Sequence, residues 1–300
     1  MKRPSTLGKN IERIDAWAKA EGTAQYGADI RLNNMLFCKN VYSERAHAKL
    51  LAVHIGEAEK MPGVVKVVTG KDIPGAKMFG ELFRDQYALA CDRVRYFGDV
   101  IAVVAAETQE QANEAAKRIY ADYEDLPVLA SPKMAMESDI AINPEYPDNI
   151  CGEVHVNKGD SEAALKEAEV IVKTNYKTHF VEHAYLEPES VTAVPSPMRD
   201  EVTVYGSMQA PYNARISIHR MLNIPMSQII FNPSTVGGSF GGKIETAEAN
   251  AIRVSLIALL TKRPAQVTLT RDESIRESYK RHPIEFDIEI GAKKDGTMTA

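Results

Sequence analysis

The nine residues DVIAVVAAE, from Asp99 to Glu107, constrain the architecture more than any other stretch. Apolar residues follow one another without the period-two alternation of a half-exposed strand. A strand of this kind needs cover on both faces, which only a layered structure supplies. TQEQANEAAKRIY follows at once, with Thr108 placed as an N-cap and Gln111 three residues on to complete a capping box, so the next element is a helix. AKLLAVHI and GVVKVVTG, rich in β-branched residues, read as further strands. The helical GEAEKM lies between them, and Pro62-Gly63 marks the break.

A polar stretch with two prolines then separates this α+β unit from a second one. SEAALKEA predicts a short helix running into the strand VIVKTNYKTHF. SVTAVPS, EVTVYGSMQ and SQIIFNP predict strands, Tyr212 to Leu222 an amphipathic helix, and Glu245 to Leu260 a long apolar one. The expected division is a first unit over residues 1–127 with an N-terminal extension, a linker over 128–140 and a second unit over 141–300. IEFDIEIGAKKDGTMTA predicts a hairpin turning at Asp295-Gly296 with both central residues at positive φ. Its return arm stops after four residues and leaves an edge unpaired, which predicts a truncated piece or one subunit of a split polypeptide.

Charge and cysteine usage exclude several functions. A formal net charge of −5, with Lys and Arg scattered, predicts no nucleic-acid partner. Ala249 to Leu260 is interrupted by Asn250, Arg253 and Ser255 and is too short to span a bilayer, and the N-terminus lacks the apolar run of a secretory signal. A cytoplasmic location without a membrane partner is therefore expected. Cys38, Cys91 and Cys151 stand far apart with no CxxC, so this chain alone builds no iron–sulfur or structural zinc site.

Two short motifs could carry chemistry. TVGGSFGGKIET contains GxxxxGK from Gly237 to Lys243, the pattern of a phosphate-cradling loop. The next position holds Ile244, which offers no oxygen to magnesium, so a nucleoside triphosphate is not expected. Taken alone, the loop also fits a tight turn packing a helix on a strand, with Lys243 as a solvated charge at its end. HFVEH places His179, Glu182 and His183 in the HxxEH pattern of a zinc peptidase. That pattern needs a helix, whereas the flanking residues alternate as a strand does, which would hold the two histidines roughly 13 Å apart.

Seven stretches in order along the chain carry a wider likeness. RIDAWAKAEGTAQYGADI, MPGVVKVVTGKDIPG, RVRYFGDVIAVVAAETQEQANEAAKRIYADYEDLP, EHAYLEPESVTAV, SMQAPYNAR, VGGSFGGK and RDES with KRHP together resemble the large molybdenum-binding subunit of the xanthine dehydrogenase and aldehyde oxidase family, from about Arg13 to Ala300. The resemblance implies an α/β hammerhead-like domain followed by the first part of a mixed α+β molybdopterin-binding domain.

It also implies a molybdenum–molybdopterin cofactor at the glycine loop of Gly237, Gly238, Ser239, Phe240, Gly241 and Gly242. Gln209 matches the glutamine whose amide donates to an oxo ligand of the metal, and Phe240 the residue whose backbone N–H does the same. No side chain of this chain is implied as a metal ligand. Without the resemblance, Gln209 could instead cap the helix after Pro211. Glu187 is expected to be structural, and Arg271 and His282 to orient or pack.

The implied reaction is hydroxylation of an aldehyde or N-heterocycle with water as the oxygen source. Electrons would leave through iron–sulfur and FAD subunits. The family's catalytic glutamate lies beyond these residues, so the resemblance implies a partner chain supplying the other half of the cofactor site, or else a non-catalytic scaffold half. Purine-oxidising members carry a substrate-binding glutamate right after the motif lysine. Here Ile244 stands there, with Glu245 one step later, and these two are the expected substrate residues.

Overall fold

The computed structural model describes residues 7–81 and 83–300; residues 1–6 of the expected first unit lie outside the described residues. A short α1 (Ala16–Ala20) leads to β1 (Leu36–Tyr42), β2 (Ala48–His54), α2 (Gly56–Glu59) and β3 (Val64–Thr69). The short strands β4 (Met78–Phe79), β5 (Gln86–Tyr87) and β6 (Arg93–Val94) precede β7 (Val100–Ala106), α3 (Gln109–Ala116) and β8 (Tyr120–Asp125). The remainder begins with α4 (Pro132–Met136), α5 (Ser161–Lys166), β9 (Val170–Lys177), β10 (Ser190–Pro195), β11 (Val202–Gly206), α6 (Pro211–Leu222) and β12 (Ile229–Pro233). It ends with α7 (Glu245–Thr261), β13 (Ala265–Thr268), α8 (Arg271–Glu277) and β14 (Glu285–Ala292).

The unbroken apolar run forms β7, and all seven of its residues are buried. Its two faces enter two different cores. Ala102, Val104 and Ala106 pack with Ala112 and Ala115 of α3, while Val103 and Ala105 belong to the cluster containing Ile252 and Ile257 of α7. Thr108 and Gln111 form the expected capping box, at 3.2 Å and 3.1 Å.

Strand β7 lies in a seven-stranded sheet ordered β12-β11-β10-β13-β1-β7-β3. The sheet joins the two halves of the chain where β1 runs parallel to β13, with Leu36 opposite Ala265. Helix α7 crosses this sheet with thirteen consecutive residues, Thr246 to Ala258, buried. Each fully buried Ile or Val there contributes roughly 1.5–3 kcal/mol relative to exposure. Its buried polar residues must then find partners inside the protein.

Three expectations change. VIVKTNYKTHF leaves the ladder after Lys177, so β9 pairs with β14 from Val170 to Lys177 and residues 178–180 lie outside it. The terminal turn has one positive φ, at Gly296, rather than two. Gly296 donates to Lys293 O at 3.0 Å, the pattern of a three-residue loop in which a left-handed glycine follows an ordinary turn. HFVEH, expected in a strand and turn rather than a helix, is indeed not helical but is not a regular strand either: residues 178–180 and 182–185 are irregular, with a single bridge at Val181. Its residues therefore share no helical face.

Candidate functional site

The loop from Gly237 to Lys243 connects β12 to α7 and owes its shape to close packing. Gly238 and Gly241 have φ of +99° and +96°, which a side chain would strain. At Gly237 and Gly242 the limit is space. A Cβ at Gly237 would lie 2.6 Å from Cβ of Glu187, and one at Gly242 would lie 2.6 Å from the Tyr185 ring and 2.8 Å from Nδ1 of His183. Phe240 takes φ +50° with a 75% exposed side chain, so its ring points out of the fold.

The wall behind the loop is the irregular segment before β10, in which Ala184 takes φ +48° and three side chains touch the loop. His183 meets Gly241 and Gly242, Tyr185 meets Gly238 and Gly242, and Glu187 meets Gly237. Glu187 is the hub of the site. Its Oε2 accepts from the Gly237 amide at 2.7 Å, Ser207 Oγ at 2.8 Å and Lys243 Nζ at 2.8 Å, while Oε1 accepts from the Gly27 amide at 3.4 Å. Two backbone bonds complete the fastening, Glu187 N to Gly237 O at 3.2 Å and Gln209 N to Lys243 O at 3.0 Å.

Lys243 is not a solvated charge. It is fully buried, donates also to Ser207 Oγ at 3.0 Å and lies 4.7 Å from the centroid of the Tyr185 ring. Burial lowers its basicity, and the hydrogen bond to Glu187 opposes that shift. Tyr185 is fully buried and donates to Glu189, whose carboxyl burial pushes above the usual range. Arg271 at the start of α8 donates to the carbonyls of Tyr185 and Leu186, so it orients the wall. His282 is exposed.

The outer face of the loop is different. Gly242 donates back to Ser239 O at 2.8 Å, but the amides of Gly238, Ser239, Phe240 and Gly241 donate to no acceptor among the described residues. Gln209 is exposed beside this face, and its side-chain amide has no protein partner among the described residues. It does not cap α6, whose N-cap is Ala210 without a side-chain bond. Nδ1 of His183 is buried and has no hydrogen-bond partner among the described residues.

The two expected substrate residues occupy separate surroundings. Ile244 is half-buried as the N-cap residue of α7. Glu245 faces the β4–β5 hairpin, where it accepts from the Glu81 amide at 3.3 Å and Gln86 Nε2 at 3.4 Å. It also lines a cavity of about 90 Å³ with Asp85 and Tyr279. Glu182 is held below its ordinary range: burial opposes this, but Lys280 at 2.6 Å and Ser278 outweigh it. That carboxylate is engaged by the segment after α8 rather than by His179 and His183.

Among the described residues, no group of three or more His, Cys, Asp or Glu is arranged to hold a metal ion, and no helix is long and apolar enough to cross a membrane. In the sequence Glu187 reads only as structural, Lys243 only as a loop-end charge and His183 only as half of a zinc motif. The usable signal was the cluster of His183, Tyr185, Glu187 and Glu189, four side chains with polar atoms in seven residues directly ahead of the strand that begins at Ser190.

Residues 142–300 match the family described as the molybdopterin cofactor-binding domain, and residues 21–127 the aldehyde oxidase and xanthine dehydrogenase a/b hammerhead domain. The nicotinate dehydrogenase large molybdopterin subunit of Eubacterium barkeri is 34% identical over 295 residues, covering 98% of this chain and 68% of that protein. A probable xanthine dehydrogenase subunit of Bacillus subtilis (strain 168) is 37% identical over 291 residues, covering 96% of this chain and 38% of that protein. The aldehyde oxidoreductase of Desulfovibrio desulfuricans ATCC 27774 has the same fold with a TM-score of 0.88 at 25% identity, over 97% of this chain and 33% of that one. The chain therefore spans about two thirds of one relative and between a third and two fifths of the others named here.

Proposed function

The chain belongs to the aldehyde oxidase and xanthine dehydrogenase family of molybdopterin-binding proteins, and from that premise we propose that it holds the molybdenum centre of a hydroxylase against the outer face of the glycine loop. The observation that carries this reading is the run of four amides from Gly238 to Gly241, which have no acceptor among the described residues, on a loop fastened from behind by Glu187 and Lys243. The donor set fits the group. Amides and the Gln209 carboxamide are neutral donors suited to anionic oxygens, and the glycines leave no Cβ in the way.

In this assignment the amide of Phe240 and the side chain of Gln209 would donate to anionic oxygens of the centre. Gly237, Gly238, Ser239, Gly241 and Gly242 form its seat, and Lys243 and Glu187 fix the direction of the amides. Donors held in place before the reaction need not reorganise as charge develops. The bound centre supplies two-electron oxidation, with the balance R–H + H₂O → R–OH + 2H⁺ + 2e⁻. The electrons would leave through iron–sulfur and FAD subunits, and a chain or segment equivalent to the rest of the longer relatives would complete the site.

The substrate class is an aldehyde or N-heterocycle. Ile244 would give it an apolar neighbour, while Glu245 is already engaged by Glu81 and Gln86. We assign residues 1–127 and 141–300 to separate units joined over 128–140, with β1, β3 and β7 of the first extending the sheet of the second. A cytoplasmic location belongs to the same proposal; all three cysteines are free.

Elemental and pterin analysis of the assembled protein tests the reading. Stoichiometric molybdenum in the wild type and its loss in Gly241→Val are expected, because valine at φ +96° strains the loop and puts a branched side chain on the face proposed to hold the group. Normal molybdenum in that variant would sink the assignment.

A further inference from the structure

We infer that His183 is a further donor to the group seated on the glycine loop, an inference that rests on the molybdopterin reading above. The imidazole stacks beside Tyr185, with ring centroids 6.4 Å apart and planes 29° apart, so its orientation is set from behind. Nδ1 faces the backbone of Gly242: a Cβ built there would lie 2.8 Å away. That nitrogen is buried and has neither donor nor acceptor among the described residues.

The surroundings decide which nitrogen carries the proton. An N–H at Nδ1 would be a buried donor with nothing to receive it. A bare lone pair there meets the weakly positive Cα hydrogens of Gly242, a tolerable contact. Neutral imidazole has one N–H, so the proton sits on Nε2. Nε2 is adjacent to Gly241, where a Cβ would lie 3.6 Å from it, and Gly241 is one of the residues whose amide has no acceptor among the described residues. His183 thus adds a side-chain N–H to the donor row of Gly238 to Gly241, and the glycine at 242 is what lets the ring approach.

The role is positioning: His183 binds and orients the seated group and exchanges no proton with substrate. The experiment compares His183→Phe and His183→Gln in the assembled holoenzyme. Molybdenum and pterin content, their retention on prolonged dialysis, and the Mo(V) electron paramagnetic resonance signal are the readouts. Gln can present an N–H near the Nε2 position, whereas Phe keeps the ring and removes the donor. His183→Phe is expected to lose cofactor about ten- to a hundredfold faster, the usual worth of a hydrogen bond to a charged acceptor, and to shift the signal. His183→Gln is expected to stay close to wild type on both counts.

Retention and signal unchanged in His183→Phe would overturn the inference. So would equal losses in both variants, because a space-filling role predicts that Phe is the better replacement. A wild-type enzyme without molybdenum would overturn the proposed function itself, and this inference with it. Molybdenum in the wild type with an indifferent His183→Phe overturns only the role of His183.

Discussion

Two buried cation–carboxylate pairs belong to α7 and its approach, and they are built for different ends. Arg253, in the middle of the helix, pairs with Glu277 of α8, and both are almost completely buried. Glu277 also accepts from Asn40 at 3.0 Å, Tyr42 at 2.9 Å and Asn250 at 3.1 Å, while Arg253 donates to Ala88 O at 2.6 Å. That network ties β1, α7, α8 and the segment before β6 to one another, and its charges are used up inside the protein. Glu187, ahead of β10, holds the Gly237 amide and pairs with Lys243, just before the first turn of α7, while the next four amides are left without acceptors among the described residues. A buried pair surrounded by its own partners fastens elements together. One bordered by idle donors shapes a seat.

The largest effect that could break this distinction lies in the first network. Arg253→Met leaves Glu277 buried beside no cation, which costs about 3–5 kcal/mol in denaturant unfolding. A loss below about 1 kcal/mol would mean that α7 and α8 are held by apolar contacts alone. Lys243→Met is expected to destabilise by roughly 3 kcal/mol and, unlike Arg253→Met at a matched folded fraction, to abolish molybdenum retention. Lys243→Met combined with Glu187→Leu should recover stability without recovering retention, and recovery of both would remove the seat's dependence on the pair.

Glu248 on the same helix shows what happens to a charge with no pair. It is 1% exposed, one of its oxygens has no hydrogen-bond partner among the described residues, and burial pushes its carboxyl from 4.5 up to about 7. The folded protein therefore holds a proton that the unfolded chain has released, so stability falls as pH rises from about 4.5 to about 7. The drop is on the order of 3 kcal/mol. Glu248→Gln should flatten the unfolding free energy across that window, and an unchanged slope would show that the carboxyl is paired in solution.

Smaller still is Gln209→Ala in the assembled enzyme, with turnover expected to fall up to roughly 10²-fold and stability to change by less than about 0.5 kcal/mol. Turnover equal to wild type would remove Gln209 from the donor set. At the other extreme, Lys173 and Glu289 pair at 2.8 Å across the exposed β9–β14 ladder, and Lys173→Ala should shift unfolding by no more than about 0.5 kcal/mol.

What could be read without coordinates follows from local rules. The apolar run of β7, the capping box of Thr108 and Gln111, and the apolar length of α7 each state their element in a few adjacent residues, because burial on both faces and end-capping are short-range demands. The glycine spacing marked the loop for the same reason: positive φ and missing Cβ atoms leave a written trace.

Tertiary structure alone decided the rest. Lys243 reads as an ordinary loop-end charge until Glu187, 56 residues earlier, is brought within 2.8 Å of it. The terminal turn depended on where the ladder between β9 and β14 ends, and the union of the two halves in one sheet on β1 meeting β13 across more than two hundred residues. Glu245 and Gln209 are equally polar in the sequence, yet one is engaged by a hairpin from the first half and the other is left free beside the loop. Local order is determined by which neighbours a residue has along the chain. Whether a charge is a fastening, a seat or spare depends on partners that only the folded chain can bring to it, since desolvation and hydrogen bonding act through space.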